Sequence, residues 1–172
     1  MAVIFPDWWS PEVRGLLPKI EDVCIALFSL EQNGAVIEGC SGRYWLDTDQ
    51  QTQQVVFGEG EAYLRVVRLG GETDLENNRD MHRVQFAAIH RNRNTSWEIV
   101  AFVQRVLYAY ERTGYVVMPD GRKVALTFES ETLGPLLDPQ QIRDFRLVQF
   151  TALLATPWPK GVARVVTENV PV

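Results

Sequence analysis

Hydrophobic and polar positions alternate most regularly between residues 61 and 113, and the elements they predict there organise the chain. Glu61 to Leu69 reads EAYLRVVRL, with Leu64 and Val66 on one face and Tyr63 and Val67 on the other. A period of two in β-branched and aromatic residues is the mark of a half-buried strand. Gly70-Gly71 is expected to end it, and a polar loop through Glu72, Asp74, Glu76, Asn77 and Asn78 to come next. A second run, His82 to Arg91, sets Val84, Phe86 and Ala88 against Gln85, Ala87 and Ile89. Thr95-Ser96-Trp97-Glu98 then has the form of a capping box: the threonine hydroxyl accepts from an N–H three residues on, and the glutamate reaches back. Beyond it Ile99, Phe102, Val103, Val106, Leu107 and Tyr110 recur at spacings of three and four, with Gly114 placed to end the helix in the left-handed region. The unit predicted is strand, wide loop, strand, helix.

The flanks extend this pattern. MAVIFPD is a short apolar arm, followed by Trp8 and Trp9; Ser10-Pro11-Glu12 suits a helix start. Pro18 should kink or divide the helical segment, and beyond it Ile20, Val23, Cys24, Leu27 and Phe28 form a helical stripe ending near Gly34. The helical region therefore runs from about Ser10 to Gln32. In residues 35–60, AVIEG and RYWL read as short strands joined by a turn at Cys40-Ser41-Gly42, with a polar loop and a short VVF run after them. Pro119-Asp120-Gly121 is a turn between strands at Tyr115 to Met118 and Lys123 to Glu129. GPLLDPQQIRD reads as a loop or single helical turn, DFRLVQFTALLA as a long strand, and TPWPKGVARVVTENVPV as an extended arm. The order α, hairpin, β, β, α, β, β predicts one α+β domain over residues 1–172, with arms at 1–7 and about 156–172. Its sheet is expected to be mostly antiparallel, with the two main helices packed on one face. Such a sheet leaves edges, and open edges invite pairing with another chain.

Composition narrows the function classes. With 46% hydrophobic and 23% charged residues in 172, the chain is an ordinary globular domain. A net charge of −5 argues against a protein whose main task is gripping nucleic acid. Cys24 and Cys40 lack metal-ligand spacing and read as reduced thiols of a cytoplasmic protein, Cys24 as packing. No apolar run approaches the roughly 20 residues of a membrane span.

Candidate chemistry is sparse. His82 and His90 lie at the two ends of a strand, about 27 Å apart, too far to share a metal, and read as surface or interface residues. Gly70-Gly71 lacks the pattern of a phosphate loop and reads as a hairpin turn. The alternating acids Glu72, Asp74 and Glu76 lack the glycine and bidentate glutamate of a calcium loop, and suit a solvated or interface loop better. There is no GxSxG and no placeable Cys/His pair, so catalytic residues, metal ligands and cofactors are assigned to none, and the chain is read as not an enzyme. Arg83, Arg91, Arg93 and Arg105 are a basic group, solvated or facing an acidic partner. Trp8, Trp9 and Trp158 serve either as a core lid or as subunit contacts.

The run from Tyr63 to Leu107 resembles the central segment of tail terminator proteins of long-tailed, siphovirus-type phages, most of all those of actinobacterial hosts. Those proteins show a strand ending in Arg-x-Gly-Gly, an acidic loop, an aspartate shortly before an alternating strand, and a helix opening near a tryptophan. Arg68, Gly70, Gly71, Asp80, Val84, Phe86 and Trp97 stand at the matching places. Phe5 to Asp7, Gly134-Pro135 before RDFRLVQFTALL, and TPWP extend the match over Phe5 to Pro159, with residues 35–60 longer than the pattern. Met81, where a proline is frequent, and the proline-split first helix depart from it.

The resemblance implies a structural virion protein of the tail's neck, made in the host cytoplasm. It implies a sixfold (hexameric) ring at the head-proximal end of the tail tube that stops tube growth and joins head-completion or connector proteins. Its partners would be other copies, the major tail tube protein and those connectors, with DNA passing through the lumen unread and no membrane involved. The interface residues it points to are Gly70, Gly71, Glu72, Asp74, Glu76, Asp80, Arg91 and Arg93, with Trp8, Trp9 and Trp158 on the arms. Another neck component, a head-completion or stopper protein, is a second reading. A small α+β ligand-binding domain with a deep polar pocket is a third.

Overall fold

The computed structural model describes residues 6–8, 10, 19–32, 37, 39–42, 62–74, 76–112, 114–137 and 146–158. Among them are helices α1 (Ile20–Ser29) and α2 (Arg93–Tyr108) and strands β1 (Gly39–Ser41), β2 (Tyr63–Asp74), β3 (Arg79–His90), β4 (Gly114–Val117), β5 (Lys123–Leu137) and β6 (Arg146–Pro157). The strands form one six-stranded sheet in the order β1-β2-β3-β6-β5-β4. All neighbours are antiparallel except β1 and β2, which run parallel with Cys40 opposite Leu64. The fold is therefore mixed α+β, as the order of elements predicts.

The alternation in the central strands sets the core. Leu64 and Val66 of β2, Val84, Phe86 and Ala88 of β3, and Val148, Phe150, Ala152 and Leu154 of β6 share one buried cluster with Val23 and Leu27 of α1 and Val100, Val103 and Leu107 of α2. Phe86 is its hub. It faces Val66 and Phe150 in register, stacks on the Phe150 ring at 5.2 Å and meets Phe28 edge-on at 6.0 Å. Such aromatic pairs add about 0.5–1.5 kcal/mol beyond the area they bury. Positions of the other parity (Tyr63, Ala87, Ile89 and Leu147) form a second, smaller cluster, so the middle strands are buried on both faces. Cys24 is fully buried in the main core, where burial foremost raises its thiol pKa, in keeping with a packing role.

Several boundaries fall elsewhere than the sequence pattern puts them. Gly70-Gly71 does not end β2. The strand runs on to Asp74, with a register shift between Arg68 and Gly70. Gly71 serves close pairing, not reversal: a Cβ on it would lie 1.9 Å from the Met81 carbonyl oxygen. The reversal comes after Asp74, where Asn78 takes φ 50° and Asp74 Oδ1 accepts from the Asn77 N–H at 3.1 Å.

The capping box does not form either. α2 opens at Arg93 with Asn92 as its cap, Asn92 Oδ1 accepting from the Asn94 N–H at 2.9 Å, so Thr95 and Glu98 lie inside the helix. Asparagine caps as well as threonine does and comes first after the strand. α2 ends at Tyr108 with right-handed Ala109, well before Gly114, which opens β4; a Cβ there would meet the Tyr110 ring at 2.6 Å. α1 likewise ends at Ser29, short of Gly34, because Leu30 is already extended. Its stripe Ile20, Val23, Cys24, Leu27 and Phe28 is buried as expected, while residues 11–18 lie outside the described residues.

Cys40 and Ser41, expected in a turn, lie in β1; the remaining expectations for 43–60 lie outside the described residues. The turn at Pro119-Asp120-Gly121 forms with Gly121 at φ 82°. β5 continues past Glu129 to Leu137, absorbing Gly134-Pro135 that were expected in a loop. It does so through three register shifts, the usual way a strand tolerates a residue without an N–H. Its first four residues pair with β4 and those from Thr127 on pair with β6, which curls the sheet.

Candidate assembly interface

The β2–β3 hairpin outruns its neighbour. Among the described residues β1 covers β2 from Tyr63 to Arg65, and the residues from Arg68 to Thr73 are all exposed. The far end of this ribbon is tied by polar contacts. Thr73 Oγ1 donates to Asp80 Oδ1 at 2.8 Å across the ladder. Asp74 accepts from Asn77 Nδ2 at 2.8 Å and from Arg79 at 3.0 Å, and Arg79 turns its other arm to Glu129 of β5 at 2.5 Å. The Asn77 amide above all, then Arg79, hold the Asp74 carboxyl below its ordinary range. Asp74 is thus engaged within the hairpin, whereas Glu72 and Glu76 remain exposed.

Trp158 joins this group, its N–H donating to the Asn78 carbonyl at 2.8 Å. β6 runs alongside β3 to the tip, with Pro157 opposite Arg79, which carries the tryptophan there. Its indole N–H is buried without a hydrogen-bond partner. The structure therefore brings together Gly70, Gly71, Glu72, Asp74, Glu76, Asp80 and Trp158. It does not bring Arg91 and Arg93 to them. Those arginines, both exposed, lie past the other end of β3, Arg91 about 36 Å of extended chain from Asp80. Trp8 is half-buried, and Trp9 lies outside the described residues. Arg83, opposite Gly70, and Arg105 on α2 are also exposed.

His82 departs from the reading of both histidines as surface or interface residues, because it is packed within the single chain. It is 2% exposed, with Nε2 2.9 Å from Thr156 Oγ1 and Nδ1 buried without a partner. Burial chiefly, then the Arg68 guanidinium, push its pKa below the ordinary value, while Asp80 and Glu21 pull the other way. Its parity with Val84, Phe86 and Ala88 was the available signal that it points inward. His90 is half-buried and accepts the Asn92 N–H at 2.9 Å.

Two edge positions carry side-chain plugs that no sequence motif announces. Glu21 of α1 accepts the Arg68 N–H on β2 at 3.1 Å. Gln32, just past α1, brackets Val117 on edge strand β4. Its Nε2 donates to the Val117 carbonyl at 2.9 Å and its Oε1 accepts the Val117 N–H at 2.8 Å.

An open cleft of about 360 Å³ lies between α1 and the β4–β5 turn, lined by Ile25, Ala26, Met118 and Pro119 with Asp22 and Asp120 at its rim. Asp120 is already paired with Arg122 at 2.6 Å. Among the described residues no group of acids, histidines and cysteines could hold a metal ion, and no helix is long and apolar enough to cross a membrane.

A family model described as phage tail termination protein matches residues 16–163, taking in both helices and all six strands. The chain belongs to this family. No curated protein matches it. The family is a structural one, so the chain's role is that of a phage tail terminator, placed in the virion tail among other tail and head-tail proteins. The hairpin tip, Arg91, Arg93 and Trp158 fall within the matched span; Trp8, Trp9 and the Phe5 to Asp7 arm precede it.

Proposed function

We propose that this terminator forms a closed, hexameric ring on the head-proximal end of the tail tube of a long-tailed, siphovirus-type phage of an actinobacterial host. The ring stops addition of the major tail tube protein and offers its other side, in the neck, to head-completion or connector proteins. The observation that carries this reading is the family match over the whole described sheet and both helices. The architecture supports it in two ways. The exposed β2–β3 ribbon and the Arg91/Arg93 end of β3 are separate polar surfaces at opposite ends of one strand, suited to different partners. The shared core of sheet and helices, with both helices taken to cover one face, supplies a rigid body to hold them apart. A net charge of −5 makes the ring a poor trap for the phosphate backbone, so DNA passes through the lumen without specific binding.

The test is electron microscopy of tail tubes assembled without the protein and then mixed with it. Density at one end of each tube, and arrest of growth when tube subunits are added, are expected. Tubes that stay bare and keep lengthening would overturn the proposal and turn attention to portal-side neck proteins.

A further inference from the structure

We propose that His82 is a proton-operated latch on the β2–β3 ribbon: neutral, it holds the stretch from Gly70 to Arg83 against the rest of the sheet, and protonated, it releases that stretch while the core stays folded. Such a latch belongs to the single chain and does not depend on a ring. His82 stands in the middle of the ladder, opposite Gly71 of β2 and Leu154 of β6. Its ring is buried, with Nε2 2.9 Å from Thr156 Oγ1 and Nδ1 enclosed without a partner. A neutral imidazole tolerates this, because only one of its nitrogens carries a proton and the threonine hydroxyl can serve either tautomer. A second proton makes both nitrogens donors. Nδ1 then carries an N–H with no acceptor in place, on a ring that has become a buried cation, and an unmade bond to a charged donor is expensive. Opening the ladder at His82 gives that donor to water.

The charges around the ring do not rescue the cation. Among the described residues Arg68 of β2 opposes a second positive charge, while Asp80 of β3 and Glu21 of α1 favour it, and β6 supplies the uncharged Thr156. Both carboxylates are already engaged. Asp80 accepts from Thr73 Oγ1 at 2.8 Å, and Glu21 accepts the Arg68 N–H at 3.1 Å. The ribbon is also the part of the sheet that yields most easily. Arg68 to Thr73 are all exposed, and the far end is tied by polar contacts from Arg79 to Glu129 and from Trp158 to Asn78. Beyond His82 in the other direction, Val84, Phe86 and Ala88 are fixed in the main core. Few buried apolar contacts and exposed ladder bonds are the marks of a segment that opens below the global free energy. Its opening should rise about tenfold for each pH unit between 6.5 and the folded midpoint of His82, and level off below that midpoint.

Imidazole NMR and amide hydrogen exchange on the full chain, from about pH 7.5 down to about 5, test this across the range where histidine titrates. His90 is the one other histidine, so a His90→Gln variant assigns the His82 signal. Amides of residues 70–74 and 79–83 are expected to exchange faster than those around Phe150 at every pH. Their protection, corrected for the intrinsic pH dependence of exchange, should fall about tenfold for each pH unit by which the His82 midpoint lies below 6.5. In His82→Gln, which keeps a partner for Thr156 and cannot titrate, that fall should vanish. Ribbon amides as protected as those around Phe150 would overturn the latch, because the ribbon would then open only when the whole chain unfolds. So would a His82 midpoint at or above 6.5, or a fall that persists in His82→Gln. Should that variant not fold, the agreement between midpoint and loss of protection in the natural chain decides alone, and a mismatch sinks the proposal.

Discussion

Gly70 and Gly71 form a matched pair that isolates one physical effect. They are adjacent, both exposed, and share nearly the same backbone angle, with φ of 155° and 157°. Alanine at either position pays the cost of a conformation that favours glycine, about 1–3 kcal/mol. Only their surroundings differ. A Cβ at Gly70 meets nothing within 4 Å, whereas at Gly71 it would lie 1.9 Å from the Met81 carbonyl oxygen and 3.1 Å from the His82 Cα. Those are backbone atoms of the paired strand, so no rotamer change relieves the overlap; the ladder between Gly71 and His82 must open. Overpacking of this kind costs a further ~1–3 kcal/mol. Gly71→Ala should therefore be the worse variant by at least about 1 kcal/mol. With a urea dependence of about 1–3 kcal/mol per molar, that separates the two midpoints by roughly 0.3 M or more. If the hairpin relieves the clash by opening locally, the global midpoints converge and the loss moves to amide protection of residues 71–74 and 79–82. Equal behaviour of the two variants in both midpoint and protection would refute the close-pairing account of Gly71.

Two further outcomes concern the core and His82. Phe86→Ala should lose about 3–5 kcal/mol and lower the thermal midpoint by roughly 10 °C, because Phe86 is fully buried between Phe28 and Phe150; calorimetry checks it. Burial holds His82 below the ordinary imidazole value of 6.5, so the folded chain binds that proton less readily than the unfolded one. The stability tied to this site is full above about pH 6.5 and is lost as pH falls through the folded value. Urea midpoints at pH 7.5 and 5.5 should accordingly drop more for the natural chain than for His82→Gln, and an equal drop would show that other groups govern the acid side.

Period and parity were the features legible in the sequence. The alternation of Val84, Phe86 and Ala88, the stripe of α1, and the turn at Pro119 to Gly121 each depend on neighbours a few residues away, and each formed. Boundaries set by distant strands were not visible. Nothing local says that Gly71 faces the Met81 carbonyl, that Asn92 caps α2 before Thr95 can, or that β5 carries Gly134-Pro135 by shifting register against β6. The candidate interface divided in the same way. Its acidic stretch and Trp158 converge at one tip because β6 runs alongside β3, a pairing the sequence does not state. Arg91 and Arg93 belong to the other end for the same reason.

The pair of hydrogen bonds from Gln32 to Val117 has a consequence for growth direction. To Val117 the Gln32 amide presents one donor and one acceptor, the complement that a facing strand residue would bring, while its second N–H goes to the Ala26 carbonyl, so at Val117 the sheet behaves as though its next member had already arrived. β4 is also exposed at Tyr115 and Val117, apolar side chains that would otherwise welcome a flat neighbour. With that border occupied from within at Val117, the subunit has a mute side there. Copies in solution are thereby denied one symmetric embrace, β4 against β4, that would pair them off in twos and remove them from any larger assembly.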